Sequence, residues 1–130
     1  MNSESKIEAY EFGLFAEEMV AEAYIKKGYT ILERRWKVGK TEIDLIAQKD
    51  NIVIIIEVKA RNGKGEDALS SVTSDKRKRM VKAADVYLKR LEGQYDYRFD
   101  IATVTGNKKE YCLEIYNSRI PCLSFIEVFL

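Results

Sequence analysis

Five consecutive β-branched residues, Ile52-Val53-Ile54-Ile55-Ile56, constrain the fold of this chain more than any other feature of its sequence. The run is short and continuously apolar, and the polar triplet Lys49-Asp50-Asn51 before it is typical of a turn. These features predict a strand from Asn51 to Ala60. Because the run has no polar face, the strand should be buried on both sides of a sheet.

Charged residues follow the apolar run directly, in the triplet Glu57-Val58-Lys59. Successive side chains of a strand point to opposite faces of the sheet, so Glu57 and Lys59 share a face. Burying charge is costly unless the group is paired or binds a metal ion. The end of this strand therefore indicates either an ion pair or a functional site.

The preceding segment, Thr41-Glu42-Ile43-Asp44-Leu45-Ile46-Ala47, reads as a neighbouring strand. Its alternation predicts two faces, one with Glu42, Asp44 and Ile46, and the other with Ile43, Leu45 and Ala47. A short connection from Gln48 to Asn51 then makes an antiparallel hairpin. One register of that hairpin places Asp44 beside Glu57 on the same face.

Two carboxylates and an ammonium group in this arrangement are suited to phosphodiester hydrolysis. Mg²⁺ prefers oxygen ligands and keeps several waters, so we expect Asp44, Glu57 and the Val58 carbonyl to hold Mg²⁺ or Mn²⁺. Bound metal would polarise a phosphoryl oxygen and activate a water that Lys59 orients. The chain contains no histidine, the commonest general base. A simple ion pair between Glu57 and Lys59 is the alternative interpretation.

These residues resemble the core of the PD-(D/E)XK nuclease superfamily, with Asp44 as its first motif residue and Glu57-x-Lys59 as its second motif. The whole chain resembles the YraN-like family of bacterial proteins, described as candidate endonucleases. The matching stretches run from about Phe12 to Thr105: Gly13-x-x-Ala16-Glu17, Gly28-Tyr29-x-Ile31-Leu32, Glu42 to Ala47, Glu57-Val58-Lys59-x-Arg61, Val72 to Lys76, Ala83-Ala84 and Arg98-Phe99-Asp100. Departures from the usual family residues are Ala16 and Thr41 in place of glycine and Arg35 in place of asparagine.

The resemblance implies an α/β fold with a restriction-endonuclease-like core, and an acidic residue on the first helix that leans into the metal site. Glu17 fits that position without a gap, so we assign it there as a further catalytic residue. Glu18 is the competitor, because it fits the family pattern almost as well with a gap of one residue.

The other elements complete a mixed five-stranded sheet flanked by helices. Helical spacing of Phe12, Phe15, Met19 and Ala23 predicts a first helix from about Ser5 to Lys27, ended by Gly28. Further strands are expected at Thr30 to Trp36, Arg98 to Thr105 and Tyr111 to Asn117. A second helix is expected from Ser74 to Leu91, with its core face formed by Met80, Ala84, Tyr87, Leu88 and Leu91. Arg98 and Asp100 are expected to form a structural pair.

Positive charge is concentrated in the middle of the chain, although the net charge is only +1. Residues 34–90 carry 15 basic and 8 acidic groups, whereas both flanking segments are net negative. Basic groups there could follow nucleic-acid phosphates, and Lys76, Arg61 and Lys78 are the candidate contacts. A solvated helix face is the alternative for the run Lys76 to Arg79. The glycine-rich segment Asn62 to Gly65 is a candidate lid.

Composition bounds the remaining expectations. At 130 residues and 46% hydrophobic, the chain suits one nuclease-like domain over residues 1–130. It shows no signal peptide or apolar span, which predicts a cytoplasmic protein without a membrane partner. Cys112 and Cys122 lack zinc-site spacing. The apolar tail Pro121 to Leu130 could pack on the core or on a partner. Junction resolvases work as dimers, which suggests a homodimer by analogy alone.

The sequence therefore predicts a metal-dependent endonuclease acting on DNA or structured nucleic acid. A non-catalytic nucleic-acid-binding or recombination accessory module on the same fold is the runner-up. A partner-binding protein that uses its apolar tail is a third hypothesis. The natural substrate does not follow from the sequence.

Overall fold

The computed structural model describes residues 3–63 and 74–117. Their elements follow in chain order: α1 Ser3–Lys26, β1 Thr30–Val38, β2 Thr41–Lys49, β3 Ile52–Arg61, α2 Ser74–Arg90, β4 Asp96–Gly106 and β5 Tyr111–Asn117. The strands form one five-stranded sheet in the order β1-β2-β3-β4-β5. Neighbouring strands are antiparallel except for β3 and β4, which are parallel. The predicted α/β class with a mixed five-stranded sheet and two flanking helices is confirmed.

Strand β3 lies at the centre of the sheet and is covered on both faces, as its sequence predicts. Ile54 and Ile56 pack in the cluster beneath α1, whereas Val53 and Ile55 pack in the cluster beneath α2. All four side chains are fully buried. The parallel partner β4 requires a crossover connection, and α2 supplies it on the face opposite α1. The two helices thus form layers on either side of β3.

The apolar stripe of α1 is centred on different residues from those predicted. Ala16, Val20 and Tyr24 are buried against the sheet, while Phe15 and Met19 are only partly buried. The reason is tertiary: α1 lies across the sheet, so Phe15 and Met19 reach its edge and contact Tyr111 of β5. The small side chain at Ala16 lets the helix backbone approach the sheet closely.

Helix α1 ends as its sequence predicts, at Gly28. Gly28 adopts a φ of 93°, and its N–H donates to the Ile25 carbonyl at 3.0 Å. The Tyr29 N–H donates to the Tyr24 carbonyl, also at 3.0 Å. These two bonds form a Schellman cap, which satisfies carbonyls at the helix end and turns the chain into β1.

Helix α2 buries Met80, Ala84 and Tyr87 as predicted, and Leu88 and Leu91 pack partly against the same cluster. The charged side chains on the opposite side of this helix are exposed: Lys78, Lys82, Asp85 and Lys89. Arg77 is buried, which the sequence did not indicate. The basic run at the start of α2 is therefore split between the protein interior and solvent.

Asp100 on β4 is fully buried and is the centre of a polar cluster. Arg98 donates to both carboxylate oxygens, at 2.8 Å from Nε and 3.0 Å from Nη2, which confirms the predicted structural pair. The Tyr24 hydroxyl of α1 donates to the same carboxylate. Burial and the negative charge of Asp100 raise the pKa of Tyr24 above its ordinary value. The cluster joins α1 to the middle of β4.

Some of the predicted features lie outside the residues that the structure describes. Lys64 and Gly65 of the candidate lid lie there, as do Cys122 and the apolar tail Pro121 to Leu130. Cys112 is a free thiol on the exposed side of β5. Within residues 3–63 and 74–117, neither helix is long and apolar enough to cross a membrane.

Substituting Asp100 should destabilise the fold strongly. In Asp100→Asn the Arg98 guanidinium loses its charged partner, and we expect the free energy of unfolding to fall by about 3 kcal/mol. Tyr24→Phe removes one hydrogen bond to a charged group and should cost about 1.5–3 kcal/mol. Urea denaturation measures both. The matched control Asp96→Asn, at the exposed start of β4, should stay within about 0.5 kcal/mol of the parent. An equal effect at positions 96 and 100 would contradict the structural role.

Replacing Gly106 and Gly13 by alanine should change the stability of the protein in opposite directions. Gly106 ends β4 with a φ of 127°, and an added Cβ would lie 2.3 Å from the Glu110 carbonyl oxygen. Gly106→Ala should therefore lower the free energy of unfolding by more than about 1 kcal/mol. Gly13 lies inside α1 with nothing within 4 Å of an added Cβ. Gly13→Ala should therefore raise the free energy of unfolding by about 0.5–1 kcal/mol. Thermal or urea unfolding would reveal a wrong sign at either position.

Candidate functional site

The candidate site lies where β2 and β3 separate. Their pairing runs from Lys49 opposite Ile52 to Leu45 opposite Ile56, and it stops there. The next step of this register would set Asp44 opposite Glu57, as the hairpin prediction requires. Instead of a ladder bond, the Val58 N–H donates to Asp44 Oδ2 at 2.8 Å. The Asp44 carboxylate thus takes the position of a backbone acceptor at the end of the pairing.

Side-chain alternation in β2 breaks at this same point. Ile43 packs in the cluster beneath α2, whereas Leu45 packs beneath α1, so the prediction that they share a face is wrong. Asp44 lines a cleft beneath α1, whereas Ile46 packs beneath α2 and Glu57 pairs with Lys76 of α2. The predictions that Asp44 shares a face with Ile46 and with Glu57 are therefore also wrong.

The partner strand β1 is irregular opposite this point, because Arg35 adopts a φ of 50°. A register shift between Ile31 and Glu33 lies further along the pair, opposite Ala47 and Ile46. The loss of alternation in β2 depends on how β2 pairs with its neighbouring strands. A strict period of two in the sequence cannot predict it.

Glu57 is 6% exposed and lies between two lysines. Its Oε1 is 3.2 Å from Lys59 Nζ and 2.7 Å from Lys76 Nζ. Lys76 comes from the first turn of α2, so the crossover helix brings its ammonium group to the end of β3. Glu57 and Lys59 lie on the same side, as predicted.

The two lysines respond to this environment in opposite ways. Burial lowers the pKa of Lys59, and the neighbouring Lys76 ammonium lowers it further. Burial also acts to lower the pKa of Lys76, but hydrogen bonding and attraction to Glu57 outweigh it, so that pKa is raised. Lys59 is therefore the lysine that loses its proton more readily.

Asp44 is the most perturbed carboxyl group of the site. Burial raises its pKa, the charge of Glu57 raises it further, and the Val58 N–H partly opposes this; the resulting pKa is about 7. A side-chain hydrogen bond to Glu57 adds to the rise in the pKa of Asp44. A carboxyl group whose pKa is strongly raised in a cleft is a physical sign of a functional site.

Geometry separates Glu17 from Glu18. Glu17 lines the Asp44 cleft together with Val58 and Ala60, and its charge contributes to the raised pKa of Asp44. Its Oε2 accepts hydrogen bonds from Arg35, at 2.7 Å from Nη2 and 3.2 Å from Nε. Glu18 borders a smaller hollow beside Asp44, but its side chain is 51% exposed and pairs with Arg34 at 2.8 Å.

The donor set suits a metal ion that keeps most of its waters. Within the described ranges, no three Asp, Glu or Cys side chains gather closely enough to form a metal cluster by themselves. Asp44 and Glu57 form a pair, and Glu17 is held by Arg35. Two carboxylates with a backbone carbonyl such as that of Val58 are a sufficient protein contribution for Mg²⁺.

The three basic residues predicted to contact nucleic acid lie in different places. Lys76 pairs with Glu57 at the end of β3. Arg61 lies at the end of β3, where its Nη1 donates to the Ala60 carbonyl at 3.0 Å and its side chain lines an adjacent groove. Lys78 is exposed on α2. Sequence reasoning missed the role of Arg35, for which its departure from the family asparagine was the only signal.

Comparisons with known proteins agree with the family resemblance. The model of the uncharacterised protein family UPF0102 matches residues 16–104. A UPF0102 protein of Phocaeicola vulgatus is 41% identical over 108 residues, covering 80% of this chain and 87% of the relative. One from Chloroherpeton thalassium is 44% identical over 120 residues, covering 89% and 90%. One from Flavobacterium psychrophilum is 39% identical over 108 residues, covering 80% and 88%.

The matched region runs from the middle of α1 to β4 and contains Glu17, Asp44, Glu57, Lys59 and Lys76. On the extent of this match and on the identity to full-length relatives, the chain belongs to the uncharacterised protein family UPF0102.

Proposed function

We propose that this protein is a metal-dependent endonuclease that hydrolyses phosphodiester bonds in DNA or structured nucleic acid. The observation that carries the proposal is the position of Asp44. Its carboxylate lies at the separation of β2 and β3, in contact with Glu57 and near Glu17, with a pKa raised to about 7. Structural stability alone would favour fewer like charges at this position, because their repulsion disfavours the folded state.

A divalent cation accounts for this crowding of carboxylates. Asp44, Glu57 and the Val58 carbonyl would hold Mg²⁺ or Mn²⁺, and the positive charge would offset the repulsion that raises the pKa of Asp44. When bound, such an ion polarises a phosphoryl oxygen and lowers the pKa of a coordinated water. Glu17 lies on the opposite wall of the cleft from the strands, where its carboxylate can accept a hydrogen bond from water.

The lysines supply the remaining chemistry. Lys59 is 13% exposed in its side chain and lies 3.2 Å from Glu57, where its Nζ can orient the attacking water by hydrogen bonding. The water oxygen bonds to phosphorus as the bond from phosphorus to the leaving oxygen breaks, and the proton lost by the water passes through solvent to the leaving oxygen. Lys76 keeps its proton because of Glu57, so its ammonium group can neutralise charge on the phosphate.

Variants of the central residues should lose cleavage without losing the fold. Asp44→Asn, Glu57→Gln and Lys59→Met should each reduce Mn²⁺- or Mg²⁺-dependent cleavage of labelled DNA by roughly 100-fold or more, because each removes a metal ligand or the group that orients the attacking water. Circular dichroism checks the fold. The control variant is Asp50→Asn, in the exposed turn between β2 and β3, which should cleave DNA at the rate of the parent. Full activity in a folded triple variant would exclude this site.

The two neighbouring glutamates of α1 provide a sharper comparison. Glu17→Gln should lower the cleavage rate by roughly 10- to 100-fold, because it removes a carboxylate beside Asp44. Glu18→Gln removes the same charge one residue away, where the side chain pairs with Arg34 at the surface, and the rate should be unchanged. Single-turnover cleavage measures both. A larger loss in Glu18→Gln would reverse the assignment.

One observation favours a second candidate, a non-catalytic nucleic-acid-binding module. Lys59 and Lys76 already neutralise Glu57, as an ion-pair role for this residue requires. The two functions differ in metal binding. An endonuclease should bind Mn²⁺ in calorimetry and lose that binding in Asp44→Asn. An accessory module should bind DNA in a salt-sensitive manner and show no Mn²⁺ binding.

A further inference from the structure

A second groove adjoins the acidic cleft. It lies between the N-terminal half of α1 and the turn that joins β4 to β5, and its volume is about 800 Å³. The cleft that contains Asp44 has a volume of about 570 Å³. Ala9 of α1 and Ala60 of β3 line both cavities. The groove and the cleft therefore form one path along α1, which begins beside Asp44.

Basic groups line the far end of this path. Arg61 lies at the end of β3, and Lys108 and Lys109 come from the β4–β5 turn. The turn backbone is well fixed, because Asn107 Oδ1 accepts from the N–H groups of both Lys109 and Glu110 at 2.9 Å. The Asn107 N–H donates to the Glu110 carbonyl, also at 2.9 Å. The two lysines thus extend from a fixed position beside the groove.

Acidic groups on the α1 wall oppose them. Glu8 and Glu11 line the groove, and Glu11 Oε2 is 3.5 Å from Lys108 Nζ. Both side chains of this pair are more than half exposed, so the pair contributes little to stability. A phosphate group entering the groove would compete with Glu11 for Lys108. The charge of Glu11 therefore opposes an anionic occupant, and that of Lys108 favours it.

An aromatic side chain lies along the same path. Tyr10 is 64% exposed and lines the cleft that contains Asp44. Exposed aromatic rings combined with a basic groove are typical of proteins that bind unpaired nucleic-acid strands, because each unpaired base can stack on a ring. The bases of an intact duplex stay stacked within the helix and cannot use such a ring.

We infer that this groove is the path of an unpaired nucleic-acid strand that extends from the acidic site. The inference rests on the proposed function and specifies its substrate class: single-stranded DNA, or a branched structure with a single-stranded arm. Backbone phosphates lie against Arg61, Lys108 and Lys109, and a base stacks on Tyr10. Electrostatic contact with phosphates and stacking on one ring act together along the path.

The test is equilibrium binding to short labelled oligonucleotides in EDTA, which prevents cleavage, measured by fluorescence anisotropy at several salt concentrations. The full-length chain should bind a single strand at least about fivefold more tightly than the blunt duplex of the same sequence. Lys108→Gln and Lys109→Gln should each weaken binding about threefold and lower the salt slope by about 0.7. Lys82→Gln, on the exposed side of α2, is the matched control and should change neither the affinity nor the salt slope.

Neutralising each partner of the Glu11–Lys108 pair separately distinguishes a phosphate path from a structural ion pair. Glu11→Gln should tighten binding of the single strand, while Lys108→Gln should weaken it, although both remove the same ion pair. A purely structural pair would make the two variants behave alike. Tyr10→Leu should weaken single-strand binding by about fivefold or more, and Tyr10→Phe, which keeps the ring, should bind like the parent.

Equal or tighter binding of the duplex would overturn the inference, and so would a Glu11→Gln variant that binds no more tightly than the parent. The endonuclease proposal fails separately, by cleavage that survives in the Asp44→Asn, Glu57→Gln and Lys59→Met variants. Cleavage that depends on these residues but prefers duplex DNA would support the enzyme and exclude this strand path.

Discussion

The burial of β3 on both faces is the constraint on which the rest of the structure depends. A strand whose central side chains are all apolar cannot leave either face in water, so a layer must cover each side. Helix α1 covers Ile54 and Ile56, and α2 covers Val53 and Ile55. Because α2 is also the crossover between the parallel strands β3 and β4, its first turn returns to the end of β3. That return brings Lys76 to Glu57.

The same layering explains why the charged end of β3 is divided between two environments. Glu57 meets the lysines on the α2 side, whereas Asp44 lines the cleft beneath α1. The separation of β2 from β3 lets the two carboxyl groups touch across the sheet, and their contact contributes to the raised pKa of Asp44. Burial of like charges costs free energy, which other parts of the fold must offset.

Sequence patterns predicted most of the architecture because those patterns are local. The order and type of all the described elements follow from apolar runs, helical spacing and turn residues, and the ends of β5 match the prediction at both residues. The hairpin register that brings Asp44 to Glu57 followed from a short connection between two strands. Local patterns failed at Ile43 and on α1, where Ala16, Val20 and Tyr24 are buried in place of the predicted stripe. Both failures arise where one element is fitted to another.

The sequence by itself determined that this chain has a central apolar strand ending in Glu57 and Lys59, with Asp44 on the strand before it. These are properties of residue type and period, which do not depend on distant parts of the chain. Only the tertiary structure placed Glu17 in the Asp44 cleft and brought Lys76 to Glu57 while leaving Lys78 exposed. A helical residue reaches a site only if the helix has the right rotation about its own axis. That rotation is set by packing against the sheet, which no local pattern specifies.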